Sequence, residues 1–102
     1  MYYVTVMYPN RDGVKFDIDY YMNKHIPMVS RLLNATIEVC KGIPSSTGIA
    51  SPYLYTARIR VNSLEEHQAA MATHGAQIMA DIPNYCNAQP TVQIDEVLHP
   101  RG

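Results

Sequence analysis

At 102 residues the chain has the size of a single domain, 1–102, and a hydrophobic content of 47% sets it apart from disordered sequences. A formal net charge of −1, with acids and bases interspersed, excludes the basic face that phosphate backbones require, so no nucleic acid partner is expected. The apolar opening MYYVTVMYP is too short to span a bilayer and lacks the basic lead and small-residue cleavage site of a signal peptide; no membrane partner and a cytoplasmic location are expected.

Residues 2–8, YYVTVMY, are aromatic or β-branched almost throughout and run into the turn-forming Pro9-Asn10-Arg11-Asp12-Gly13, which predicts a first strand and its exit loop. Tyr2, Val4, Val6 and Tyr8 share one face, and Tyr3, Thr5 and Met7 the other, so both faces are expected to meet something. From Asp17 onward the period changes. Ile18, Met22, Val29 and Leu33, with Tyr21, His25, Met28 and Leu32 beside them, recur at helical steps, and Asp17 or Asp19 suits the N-cap. Pro27 lies inside this pattern, where it removes a backbone donor and disfavours helical angles in the preceding residue. A bend is therefore expected at His25 and Ile26, with partly freed carbonyls that the histidine ring could bond.

A second strand is expected over 35–43, then a mobile Pro-, Ser- and Gly-rich loop over 44–52. YLYTARIRVN alternates cleanly and places Tyr53, Tyr55, Ala57, Ile59 and Val61 under the helices. Ser63-Leu64-Glu65-Glu66 reads as a capping box opening a helix that carries His67, Met71, His74, Gly75, Ile78 and Ile82 and stops at Pro83. After the irregular NYCNAQP, residues 91–98 alternate again as a last strand. The order βαββαβ predicts the ferredoxin-like α+β arrangement, a four-stranded antiparallel sheet with two helices on one face. The other face would lie bare in a monomer, so a sheet-to-sheet homodimer is expected.

The run FDIDYYMNKHIPMV, together with the later MADIPNYCNAQPTVQIDEV, resembles the EthD family of dimeric α+β barrel proteins, named for ethyl tert-butyl ether degradation. The family pattern YY-x3-H-x-P falls on Tyr20, Tyr21, His25 and Pro27, and Cys86 stands where threonine is common in the family. The resemblance implies a ferredoxin-like subunit, a sheet-to-sheet homodimer and a pocket between helices and sheet. Members are often labelled reductases, so an oxidoreductase is one reading.

Within such a pocket His25 is the candidate proton-transfer group, Tyr21 one turn before it would orient the ring or a ligand, and His74 would assist. Tyr20, Tyr55, Tyr85 and Met28 are the candidate ligand-contacting residues. His67 reads as a packed histidine, and no carboxylate or thiol converges on the His67 and His74 pair as a metal site requires, so no metal is expected. Nucleotide-loop, nucleophile-elbow and zinc-protease motifs are absent, and no cofactor is expected. The function expected is capture of a small apolar or aromatic molecule with cofactor-free acid–base chemistry, such as decarboxylation, cyclisation or isomerisation. A cofactor-independent monooxygenase and a non-enzymatic ligand-binding accessory protein are the alternatives.

Overall fold

The computed structural model describes residues 1–99. Strand β1 (Tyr2–Pro9) leads to one long helix in three parts: α1 (Ile18–Tyr20), a π turn (Tyr21–His25) and α2 (Ile26–Leu33). Strands β2 (Ile37–Lys41) and β3 (Tyr53–Val61) follow, then α3 (Leu64–Asp81), a 3-10 turn (Ile82–Asn84) and β4 (Thr91–Glu96). The strands form one antiparallel sheet in the order β2-β3-β1-β4, with the helices on one face. This is the ferredoxin-like arrangement that the element order predicts.

Alternation decides which side of the sheet is covered. Val4 pairs with Ile59 on one side and Ile94 on the other, and Val6 with Ala57 and Val92, so these residues share the helix-facing surface. Two packed groups lie under the helices. An aromatic one gathers Tyr8, Tyr21, Tyr85, Ala57 and Ile82, with Phe16, Ile18, Tyr20 and Ile26 against it. An aliphatic one gathers Val4, Val29, Ile59, Val61 and Ile78, with Met28, Leu32, Leu33 and Met71 against it.

The helix ends follow the local chemistry. The Asp17 carboxylate accepts from the Tyr20 amide, and the Ser63 hydroxyl accepts from the Glu66 amide, each satisfying a donor of the first turn. Asn34 closes α2 in the left-handed region at φ 47°, a conformation asparagine tolerates better than most residues. Ala35 is drawn into that closure: its amide donates to the Ser30 carbonyl and its carbonyl accepts from the Ser30 hydroxyl. This is why β2 begins at Ile37 and not at residue 35.

The bend expected at Pro27 takes another form. His25 (φ −69°, ψ −55°) and Ile26 (φ −60°, ψ −45°) both keep right-handed helical angles, and the chain does not break. Instead the Ile26 amide reaches back five residues to the Tyr21 carbonyl, widening one turn. Proline tolerates the first turn of a helix, and α2 begins at Ile26, so Pro27 falls where its missing donor costs least.

Candidate functional site

The π turn is the platform of the site. Tyr21 and His25 both point inward, 1% and 4% exposed, while Met22, Asn23 and Lys24 between them face out. Their rings stack, with centroids 5.5 Å apart and planes 15° from parallel. The last residue of α3 meets them from across the layer. His25 Nδ1 lies 2.8 Å from Asp81 Oδ2, and the Asp81 carboxylate also accepts from the Tyr20 hydroxyl at 2.7 Å and the Asn84 amide at 2.9 Å.

On the other side of the ring, His25 Nε2 lies 3.2 Å from the Tyr85 hydroxyl, which in turn lies 2.5 Å from the Tyr8 hydroxyl. Four side chains, from α3, the π turn, the segment after the 3-10 turn and β1, thus form one hydrogen-bonded row, Asp81–His25–Tyr85–Tyr8. The freed carbonyl expected as the partner of His25 is replaced by a carboxylate 56 residues away and a phenol 60 residues away. No buried side-chain nitrogen or oxygen among the described residues lacks a partner.

The electrostatics follow from burial and from these bonds. Burial pushes the His25 pKa below its ordinary value, against a smaller upward pull from the Asp81 carboxylate, so the ring is held neutral. Burial alone would raise the Asp81 carboxyl, but bonds from Tyr20, Asn84 and His25 outweigh it and hold the group below the usual carboxylate range. Burial pushes the Tyr8 phenol up to about 12 and raises those of Tyr21 and Tyr85 as well. At neutral pH the row therefore holds one carboxylate, one neutral imidazole and two neutral phenols.

A cavity of about 120 Å3 lies beside this row, between helices and sheet. Its walls are almost wholly apolar, with Val4, Val29, Ile59 and Ile78 among them, and Tyr8, Tyr21, His25 and His67 are the residues of the lining that carry polar groups. Met79 and Val92 also line it and are 51% and 55% exposed, so the cavity opens between α3 and β4. An aliphatic cavity of about 150 Å3 accepts benzene, so this space is on the scale of a single ring.

Of the residues singled out from the sequence, Tyr21 and His25 line the cavity and Tyr85 bonds His25 just behind its wall. Tyr20 lies on the outer side of Asp81, Tyr55 packs on Phe16 at 4.6 Å between centroids, and the Met28 sulfur accepts from the Gln77 amide. None of these three lines the cavity. The two histidines of α3 exchange places relative to expectation: His67 lines the cavity and burial lowers its pKa, whereas His74 is not part of the lining. Asp81 and Tyr8 escaped the sequence reading as site residues. Asp81 stands in the quoted MADIPNY block directly before the proline turn, which was the available signal.

No group of three or more histidine, cysteine, aspartate or glutamate side chains is placed to hold a metal ion among the described residues. No helix among them is long and apolar enough to cross a membrane. Cys86 is buried behind Tyr85, its sulfur accepting from the Ala88 amide, while Cys40 is exposed on β2.

Comparison with solved structures decides the family. An EthD-like protein from Ralstonia eutropha JMP134 is 38% identical to this chain, over 98% of this chain and 94% of that one, and superposes with a TM-score of 0.91. The chain belongs to the EthD-like proteins. An ethyl tert-butyl ether degradation (EthD) family protein from Bacillus halodurans C-125 shares the fold at a TM-score of 0.77 and 20% identity, over 96% of this chain and 99% of that one. HapK from Hahella chejuensis shares the fold more loosely, at a TM-score of 0.60 and 14% identity, over 100% of this chain and 97% of that one. No family model matches the sequence, and no curated protein matches it. In this EthD-like chain the YY-x3-H-x-P block is the wide turn that carries Tyr21 and His25 inward.

Proposed function

We propose that this EthD-like protein binds a small, largely apolar organic molecule in the cavity between helices and sheet, with His25 as its acid–base group. The observation that carries the reading is the row Asp81–His25–Tyr85–Tyr8, of which His25 and Tyr8 line an otherwise largely aliphatic cavity. A neutral imidazole backed by a carboxylate is a competent proton acceptor near neutral pH, and the row supplies a path by which a proton can reach it. Decarboxylation, cyclisation and isomerisation of an aromatic or polyketide-like compound can each proceed with such a group and without a nucleotide or metal.

A second reading has its own support. Both ring nitrogens of His25 are already engaged, so the row also suits a binding protein in which it only shapes the wall. Thermal-shift screening with single-ring aromatic acids and quinones tests the shared part. A ligand at one hundred times its Kd stabilises the folded state by about 2.7 kcal/mol, and the shift is expected to shrink in His25→Ala. Equal shifts in both proteins would remove His25 from the site. Turnover of a bound compound that disappears in His25→Ala selects the enzyme, and binding without turnover selects the accessory role.

The proposed assembly is a homodimer packed sheet to sheet. Tyr3, Met7 and Leu54 lie on the surface away from the helices, alongside Thr56, Arg58 and Glu38, and each of the three is only partly covered. A face of this size with mixed apolar and charged groups suits burial against a copy of itself. Sedimentation at micromolar concentration should return twice the 11.5 kDa chain mass, and a single-chain mass would refute it.

A further inference from the structure

The row of hydrogen bonds has a direction, and that direction selects a ligand. Asp81 is a carboxylate with donors from Tyr20, Asn84 and His25 converging on it, so it can only accept, and His25 Nδ1 carries the proton between them. A neutral ring protonated on Nδ1 has only a lone pair on Nε2, which obliges the Tyr85 hydroxyl to donate to it. With its one proton spent, Tyr85 can only accept from Tyr8. Tyr8 therefore spends its proton on Tyr85 and turns only lone pairs toward anything else it meets.

Tyr21 is the opposite case. It is 1% exposed, yet its hydroxyl makes no hydrogen bond among the described residues, and no buried oxygen there is closed off without a partner. The hydroxyl thus meets open space, and the cavity is the space that Tyr21 lines. Tyr8 lines the same cavity, its ring edge-on to that of Tyr21 with centroids 5.7 Å apart. One polar atom can give a proton and the other, its own proton spent on Tyr85, can only receive one.

We propose that the cavity is built for a small aromatic or enolic hydroxyl compound, whose O–H donates to Tyr8 and whose oxygen accepts from Tyr21. The proposal rests on the cavity being a ligand site, as argued under the proposed function, and adds the class of ligand. A ketone or ether satisfies Tyr21 alone, and a hydrocarbon satisfies neither. If the bound hydroxyl ionises, its proton passes to Tyr8, the Tyr8 proton to Tyr85 and the Tyr85 proton to His25 Nε2. The products of that step are a ligand oxyanion and an imidazolium beside Asp81.

Phenol, toluene and anisole separate these cases because they share a ring and differ in what they donate and accept. By calorimetry, phenol is expected to bind wild type about fivefold more tightly than anisole, the scale of a net hydrogen bond, and anisole in turn more tightly than toluene. In Tyr8→Phe the margin of phenol over anisole should vanish, while toluene still binds and stays the weakest of the three. In Tyr85→Phe, which keeps the ring but frees the Tyr8 proton, the preference should move toward anisole, an acceptor. Nitrogen-correlated NMR of His25 should show the proton on Nδ1. Equal affinity for all three compounds, a wild-type preference for anisole, or a proton on Nε2 would overturn the inference and leave the apolar site standing. Failure of all three compounds to bind would overturn the site and the inference together.

Discussion

Replacement of Asp81 by alanine is expected to cost about 2–3 kcal/mol of stability, most of it from one hydrogen-bond donor left without a partner. Asp81 receives three donors, but they are not equally exposed to the loss. Tyr20 and Asn84 lie toward solvent and can turn to water. His25 cannot, because its ring is buried against Tyr21 and Tyr85. Stripping its Nδ1 of an acceptor leaves a buried polar group to carry the desolvation penalty, or forces the proton to Nε2 and inverts the bond to Tyr85. For a domain of this size, thermal unfolding should fall by roughly 10–20 °C. Asp81→Asn keeps an acceptor oxygen and should lose less. A fall of only one or two degrees in Asp81→Ala would mean that the carboxylate does not hold the row.

Stability should depend on pH as a plateau between about 7 and 10, with a steeper edge on the alkaline side. On the acid side the unfolded histidine takes up a proton below about 6.5, while the buried His25, its pKa lowered, resists protonation; the unfolded state binds more protons and stability falls. Asp81 acts in the same direction, since its lowered pKa contributes stability that is lost as pH drops through the folded value. On the alkaline side the unfolded tyrosines lose their protons above about 10, while Tyr8 holds its own up to about 12 and Tyr21 and Tyr85 are raised as well. Three such groups withdraw about 4 kcal/mol by pH 11, at about 1.4 kcal/mol for each group and pH unit. Urea unfolding at one-unit intervals measures this, and Tyr8→Phe and Tyr85→Phe should each remove part of the alkaline loss. A midpoint unchanged from pH 7 to 11 would refute the burial of these phenols.

Much of this architecture could be read from the chain because it rests on local rules. The strict alternation of Tyr53 to Val61 fixed which side of β3 is covered, and Ser63 with Glu66 marked the start of α3 within one residue. Tyr21 and His25 were found because one helical turn separates them, a relation visible in any linear text. Asp81 and Tyr8 were not, since each joins the row only when α3 and β1 are folded against the first helix. His67 and His74 stand two turns apart on one stripe, and spacing alone cannot say which of them overlies an opening. That choice belongs to the packing of α2 on α3. A bend is what proline statistics predict at His25 and Ile26, and the chain forms a wide turn over Tyr21–His25 instead, because those statistics report what an isolated helix would do.

The same wide turn solves a fitting problem that neither half of the helix could solve alone. The part before it beds Ile18 and Tyr20 into the aromatic group, and the part after it beds Val29, Leu32 and Leu33 into the aliphatic one. A uniform coil fixes the rotational phase of its far end once its near end is seated. One additional residue in the turn resets that phase, so each half can settle on its own bed. In this chain the residues that absorb the adjustment are the outward Met22, Asn23 and Lys24, which leaves the two inward rings in contact across it.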